Sequence, residues 1–252
     1  MRDALPAQPD TCQGVIPLRE LRSHCETCGL RTLCLPLGLD EAGMRRLDEV
    51  VTTRMRVRRK AMLYRPGDRF TGLYAIRIGT FKTMVLAEDG REQVTGYHLA
   101  GDIIGLDGIG DDRHTCQATA LEDSEVCVLP FGPIDRLSVE IPTLRRNLLR
   151  ILSRDLTREQ AMMLLLGSRS AEERLAQFLL NVAERYQTRG YSAREFVLRM
   201  TREEIASYLG LKLETVSRLF SSLQESGLIQ VQGRAVKLID SAALRRLVDR
   251  RE

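Results

Sequence analysis

The sequence predicts an α+β chain: an N-terminal antiparallel β-roll or jelly roll, one long helix, and a C-terminal winged helix-turn-helix. Three observations carry that expectation. Between residues 53 and 130, apolar residues alternate in short runs punctuated by Gly67, Gly72, Gly79, Gly90, Gly101 and Gly105, the pattern of a small antiparallel barrel. Residues 142–167 keep a helical period without interruption and predict a single helix of about 39 Å at 1.5 Å per residue. Residues 200–240, "MTREEIASYLGLKLETVSRLFSSLQESGLIQVQGRAVKLID", read as helix, glycine turn, helix and hairpin.

The bulk numbers agree with a globular chain. At 252 residues it has room for two domains, and 43% apolar with 29% charged residues is neither disordered nor membranous. No run approaches the roughly 18–20 apolar residues that span a bilayer. The opening "MRDALPAQPDTCQG" lacks an apolar core of the secretory kind, so a cytoplasmic location is expected. In that compartment six cysteines are expected as thiols or metal ligands, not as a disulfide framework. The net charge of +4 permits an anionic partner without demanding one.

Taken in order, the chain divides at 1–35, 36–140, 141–168 and 169–252. Residues 1–35 are irregular and hold four of the six cysteines. "GLDEAGMRRLDEVV", 38–51, is a short amphipathic stretch leading into the strand region. There "RMRVRRK", 54–60, reads as an edge strand with alternate exposed arginines. Pro142 suits the first turn of the long helix and Gly167 its end. Arg145, Leu149, Leu152, Leu156, Glu159, Met163 and Leu166 form a coiled-coil-like stripe, while Leu148, Leu164 and Leu165 lie off it. One apolar face is therefore expected to pack on the chain's own barrel and the other on a second copy. A carboxylate such as Glu159 on a two-fold seam would face its own counterpart and weaken the dimer. "AEERLAQFLLNVAERYQ", 171–187, is a further amphipathic helix.

The helix-turn-helix is the strongest mechanical signal. Thr201 with Glu204 forms a capping box, and Ile205, Ala206 and Leu209 give the first helix an apolar face. Gly210 breaks that helix and Leu211 is expected to pin the turn. A second helix follows from about Leu213 to Ser226, with Val216, Leu219, Phe220 and Leu223 inward and a two-stranded wing turning at Gln232-Gly233. In such a unit the N-terminal part of the second helix enters the major groove. Glu214, Ser217 and Arg218 are the candidate DNA-reading residues: Arg218 can donate to guanine O6 and N7, Glu214 can accept from cytosine N4, and Ser217 can bond to a base or a phosphate.

Cys25, Cys28 and Cys34 stand at C-x2-C-x5-C. Zinc sites and iron–sulfur sites both use thiolates spaced in this way. A closed site needs a fourth ligand, for which Cys127, Cys116 and Cys12 are available. Cys116 reads as a small core residue, Cys12 as a bystander, and His24 as a polar neighbour of Cys25. An enzyme has little support: there is no Rossmann fingerprint or P-loop, and His24, His98 and His114 form no recognisable triad. Glu203 and Glu204 are adjacent on a helix and point different ways.

The order of barrel, long helix and winged helix-turn-helix resembles the CRP/FNR family of bacterial transcription regulators. "LYAIRIGTFKT", "GYHLAGDIIGLDGIG" and "LGLKLETVSRL" are similar to its FNR branch, and the resemblance runs from about Cys25 to Ile239. It implies a cysteine-rich leader at 1–35, a β-roll sensory domain at 36–140, a dimerisation helix at 141–168 and a DNA-binding domain at 169–252. It also implies a homodimer on palindromic double-stranded DNA with TTGAT-like half-sites, and Glu214, Ser217 and Arg218 match the branch's E-x-x-S-R motif. Cys127 matches its distant fourth cluster ligand, so the resemblance implies a 4Fe–4S cluster on Cys25, Cys28, Cys34 and Cys127, with zinc as the alternative. Cluster loss in oxygen would loosen the dimer and switch DNA binding off. Cyclic-nucleotide relatives use a Glu and an Arg-Ser pair where this chain has Leu106 and His114-Thr115, so no cyclic nucleotide is expected. Contacts to RNA polymerase are expected from 88–93 or 185–196. Lys212 departs from the hydroxyl that many relatives place at the cap of the recognition helix. Outside this resemblance, a redox-insensitive zinc-stapled regulator and an iron–sulfur enzyme or electron carrier are the rival readings.

Overall fold

The computed structural model describes residues 14–18, 25–51, 53–86, 90 and 92–249. They fall into two compact units. The first takes the residues up to Leu86 and Thr95–Leu148; the second takes Ala87–Val94 and Leu149–Glu252.

The first unit is a two-sheet β-roll. One sheet has the order β1-β2-β9-β4-β7, built from β1 (Val15–Leu18), β2 (Arg54–Val57), β4 (Gly72–Ile78), β7 (Ile103–Ile104) and β9 (Ser124–Pro130). The other has the order β3-β8-β5-β6, from β3 (Met62–Tyr64), β5 (Thr80–Leu86), β6 (Glu92–Leu99) and β8 (Gln117–Ala120). Strand alternation sends Val57, Ile76, Phe81, Ala118 and Val126 into a shared core, each at most 1% exposed. Cys116 joins that core. At the β4–β5 turn, Gly79 adopts φ +96°, and a Cβ there would stand 2.1 Å from the Ser124 hydroxyl, so only glycine fits.

β2 is not the edge strand expected from its arginines. β1 pairs along it in register from Val15↔Val57 to Leu18↔Arg54, and β9 pairs along its other side. Arg54 is consequently buried, with Nη1 3.6 Å from Glu125 Oε1, and Arg77 approaches the same oxygen at 2.9 Å.

Two helices flank the strands. In α1 (Glu41–Val50), Asp40 caps the first turn by accepting from the Gly43 N–H at 2.8 Å, and Met44 and Leu47 face inward. Burying a side chain of that size contributes about 1.5–3 kcal/mol. α2 (Phe131–Glu140) fills a stretch to which the sequence reading assigns no element. Pro133 falls within the first turn, where the backbone N–H has no helical acceptor to lose. The long helix α3 (Pro142–Ser168) follows, one residue longer at its end than its periodicity predicts.

The second unit is helical with a small sheet. α4 (Ala171–Gln187) opens with a complete Ser170–Glu173 capping box. α5 (Arg202–Leu209) and α6 (Leu213–Glu225) form the helix-turn-helix, and α7 (Ser241–Asp249) is an additional short helix against α4. The wing has three strands in the order β10-β12-β11: β10 (Glu195–Val197), β11 (Ile229–Gln232) and β12 (Ala235–Leu238). Its turn lies one residue later than expected. Gln232 pairs with Ala235, leaving Gly233 and Arg234 as the loop, and Gly233 with φ +60° supplies the positive first position of a primed hairpin turn.

Candidate functional site

Residues 25–39 form a run of tight turns, with the Cys28 N–H donating to Cys25 O, Arg31 to Cys28 O, and Cys34 to Leu30 O. Three anchors fix this loop on the β-roll. The Cys25 N–H donates to Asp48 Oδ1 on α1 at 2.7 Å. Leu35 is 1% exposed and inserts into the core. Asn147, on the first part of α3 and itself buried, donates to Leu35 O at 2.8 Å and Leu37 O at 2.7 Å.

The anchored loop brings Cys25, Cys28 and Cys34 to the lining of one cavity, and Cys127 joins them from the middle of β9. Leu47, Val51, Ala75, Ile76 and Leu129 make its walls apolar, and Arg31 and Arg77 supply cations. Burial pushes the Cys34 thiol up to about 12, a backbone N–H from Leu35 opposes it, and the Cys127 and Cys28 sulfurs add to the rise. Burial likewise raises Cys25, with Asp48 and the Cys34 and Cys127 sulfurs contributing. Burial thus favours the protonated thiol at Cys25 and Cys34 until a cationic centre displaces the proton. Among the described residues, no three Cys, His, Asp or Glu side chains converge tightly enough to hold a single metal ion. Asp48 and Asn147 were not expected from the sequence. Asn147 had a signal, a polar residue on the inward stripe between Leu144 and Ile151. Cys12 and His24 lie outside the described residues.

On the helix-turn-helix, Thr201 Oγ1 accepts from the Glu204 N–H at 3.1 Å and Glu204 Oε2 accepts from the Thr201 N–H at 2.7 Å. Gly210 takes φ +62° and ends α5. Ile205, Leu209, Val216, Phe220 and Leu223 are buried, while Leu211 and Leu219 are half-buried. Arg202 lies over the Phe220 ring, its guanidinium carbon 3.1 Å from the centroid, and burial lowers its pKa to about 10. Glu214, Ser217 and Arg218 are exposed together on one face at the start of α6. The Ser217 hydroxyl donates to Leu213 O at 3.0 Å, leaving its lone pairs outward. Lys212 occupies the N-cap with no side-chain hydrogen bond.

Comparison with known proteins accords with this architecture. Residues 173–247 match the Crp-like helix-turn-helix domain and 54–138 the cyclic nucleotide-binding domain. The transcriptional regulatory protein btr of Bordetella pertussis is 46% identical over 94% of this chain and 98% of its own length. The transcriptional activator protein anr of Pseudomonas aeruginosa is 44% identical over 88% and 91%. The fumarate and nitrate reduction regulatory protein of Salmonella typhimurium is 43% identical over 88% of each. The chain belongs to the CRP/FNR family. Its curated relatives are transcription regulators of the FNR type, and the family's fold appears in the structure of FixK2 from Bradyrhizobium japonicum (TM-score 0.73, 30% identity, 79% of this chain and 98% of that one). The chain is a transcription regulator of this family, with a DNA-binding helix-turn-helix.

Within a CRP/FNR β-roll, the nucleotide region of this chain has a distinct filling. His114 is buried and stacks on Tyr64 with ring centroids 3.8 Å apart, and Tyr64 stacks on Tyr74 at 5.9 Å. Asp107 Oδ2 accepts from the Thr115 N–H at 2.8 Å and the Cys116 N–H at 3.2 Å, and Oδ1 lies 3.4 Å from His114 Nδ1. Asp107 thus takes up the backbone donors of Thr115 and Cys116.

Along α3, Leu149, Leu152, Leu156 and Met163 are 60%, 39%, 56% and 65% exposed, forming an apolar stripe with the exposed Arg145 and Glu159. Leu166 is half-buried beside Gly210, and its carbonyl accepts from Arg174 Nη2 at 2.7 Å. Leu144 and Leu165 are buried, Leu148 is half-buried and Leu164 is exposed. No helix among the described residues is long and apolar enough to cross a membrane.

Proposed function

We propose that this regulator is an oxygen-responsive switch whose Cys25, Cys28, Cys34 and Cys127 thiolates hold a 4Fe–4S cluster. DNA binding is on while the cluster is held and off after oxygen has removed it. The observation that carries the reading is the meeting of Cys25, Cys28 and Cys34 with Cys127 at one largely apolar cavity. When bound, such a cluster supplies an oxygen-labile iron centre. The chain supplies four thiolates, apolar walls that limit water, and the Arg31 charge, which favours an anionic thiolate assembly.

The readout is a homodimer through the exposed α3 stripe, which presents two recognition helices about 34–36 Å apart to successive major grooves. Arg218, Glu214 and Ser217 then read a TTGAT-like half-site in each. RNA polymerase contacts from 88–93 or 185–196 belong to the same reading, as do the domain roles assigned to 1–35, 36–140, 141–168 and 169–252. No cyclic nucleotide is required. The comparison relatives named anr and fumarate and nitrate reduction regulatory protein favour this reading over an enzyme or an electron carrier.

A redox-insensitive zinc site is the second reading. Four sulfurs on one zinc at about 2.3 Å stand about 3.8 Å apart. The thiolates of a cluster sit on different irons and so need not converge on one point, as the ligands of a single zinc must.

The test is the visible spectrum of protein purified without oxygen, followed with gel shifts on a TTGAT palindrome as air is admitted. A brown chromophore that bleaches as the shifted band disappears is expected. A colourless zinc-loaded protein whose DNA binding ignores air overturns the oxygen reading and leaves the transcription regulator.

A further inference from the structure

We propose that Asn147 is a positioning residue that couples the cysteine loop to the helix carrying the apolar stripe. The proposal rests on the functional reading above and goes beyond it, since that reading names ligands and seam but no connection between them.

Asn147 is 4% exposed, and its single amide nitrogen donates both protons to the loop, one to Leu35 O and one to Leu37 O. Leu35 follows Cys34 directly, so any displacement of that sulfur acts on the first of the two carbonyls. On the other side, Asn147 lies two positions before Leu149 and five before Leu152, within the first two turns of α3. Its neighbours on the inward face, Leu144 and Ile151, are apolar and make only non-directional contacts. Packing of that kind tolerates sliding, whereas a planar amide that spends both donors on two carbonyls fixes position and rotation together. The Leu35 side chain is seated in the core at 1% exposure, so a change at Cys34 acts by turning the peptide plane that carries Leu35 O and not by withdrawing the residue. Asn147 is therefore the point at which a change at Cys34 becomes a rotation or shift of α3.

The experiment compares wild type with Asn147→Leu, which keeps the volume and removes both donors. Iron and sulfide content and the visible spectrum report site filling, and anaerobic sedimentation gives the dimerisation constant with and without the cluster. The expected result is a variant that fills its site normally but whose cluster-to-apo ratio of dimerisation constants falls at least about tenfold towards one. That factor is what two net hydrogen bonds correspond to. A merely structural role would lower site filling or the apo melting temperature and leave the ratio of the surviving protein unchanged. That result overturns the proposal.

Should Asn147→Leu fail to fold, Asn147→Ser, which retains one donor, is read in the same way. Hydrogen exchange on wild type then decides: cluster removal must change protection in the first turns of α3, and unchanged protection there overturns the proposal. A wild type whose dimerisation ignores the cluster overturns the functional reading and this proposal together. A wild type that responds, beside a variant that responds equally, overturns this proposal alone.

Discussion

The backbone N–H of Cys25 donates to Asp48 Oδ1 at 2.7 Å, tying the first thiol of the C-x2-C-x5-C run to helix α1 across 23 residues. The bond is charge-assisted, and its carboxylate also raises the Cys25 thiol, so Asp48 holds the loop in place while opposing thiolate formation. Asp48→Asn keeps an acceptor and removes the charge; Asp48→Ala removes both. Asp48→Ala is expected to loosen the loop by about 1.5–3 kcal/mol and to bleach faster in air than wild type. Asp48→Asn is expected to bleach no faster than wild type. Stopped-flow absorbance after mixing with aerated buffer measures both.

Glu159 sits on the exposed stripe between Leu156 and Met163, where a two-fold partner would bring a second Glu159 close. Glu159→Ala is expected to raise the dimer population of the cluster-free protein, and Leu156→Glu to abolish the dimer in either state. Sedimentation velocity over a concentration series distinguishes these outcomes. An unchanged apo dimer in Glu159→Ala removes like-charge repulsion as the reason for a poised seam.

Lys212 stands at the N-cap of α6 without a side-chain bond, and its positive charge meets the positive end of the helix dipole. Lys212→Thr should satisfy an α6 N–H and raise stability by about 0.5–2 kcal/mol, measured as a higher urea midpoint. If Lys212 contacts a phosphate, the same substitution reduces the salt slope of DNA binding by about one. A slope that does not change places Lys212 off the DNA.

Asp107 is partly buried, which alone would raise its pKa. Hydrogen bonds from His114 and from the Thr115 and Cys116 N–H groups outweigh burial and lower it below the ordinary 3.8. A lowered folded value means the unfolded chain takes up this proton first as pH falls. The contribution is therefore whole above about pH 4 and is lost as pH drops through the folded value. Asp107→Asn is expected to flatten the acid limb of stability below pH 4 and to cost about 1.5–3 kcal/mol at pH 7. Thermal melts from pH 3 to pH 7 test this.

The local rules read the helix-turn-helix well because capping, breaking and inward spacing are all decided within a few residues of Thr201, Gly210 and Val216. The roll was legible as a class, from glycines and alternation, but not strand by strand. β10 has three residues and exists only because β12 pairs with it. The arginines of β2 suggested an edge because nothing local announces that Val15–Leu18 will cover it. α2 was hidden by Pro133, whose meaning depends on whether it falls before or inside a first turn. At the candidate site, the spacing of Cys25, Cys28 and Cys34 was visible, while Asp48 was not and Asn147 showed only as a polar residue on an inward stripe. Their partners are backbone atoms 23 and about 110 positions away, and a backbone carbonyl carries no sequence signal.

Leu35 has one more consequence. It marks the boundary between the part of the leader that only ligates and the part on which the roll is built. Among residues 25–34, Cys25, Cys28, Leu30, Leu33 and Cys34 are only half-buried, and full burial begins at Leu35. On the proposed reading, loss of the cluster would release a tether and leave the core of the roll closed. Cys127, held in β9 between β2 and β4, would keep its place, so the proposed site could be rebuilt on an intact roll.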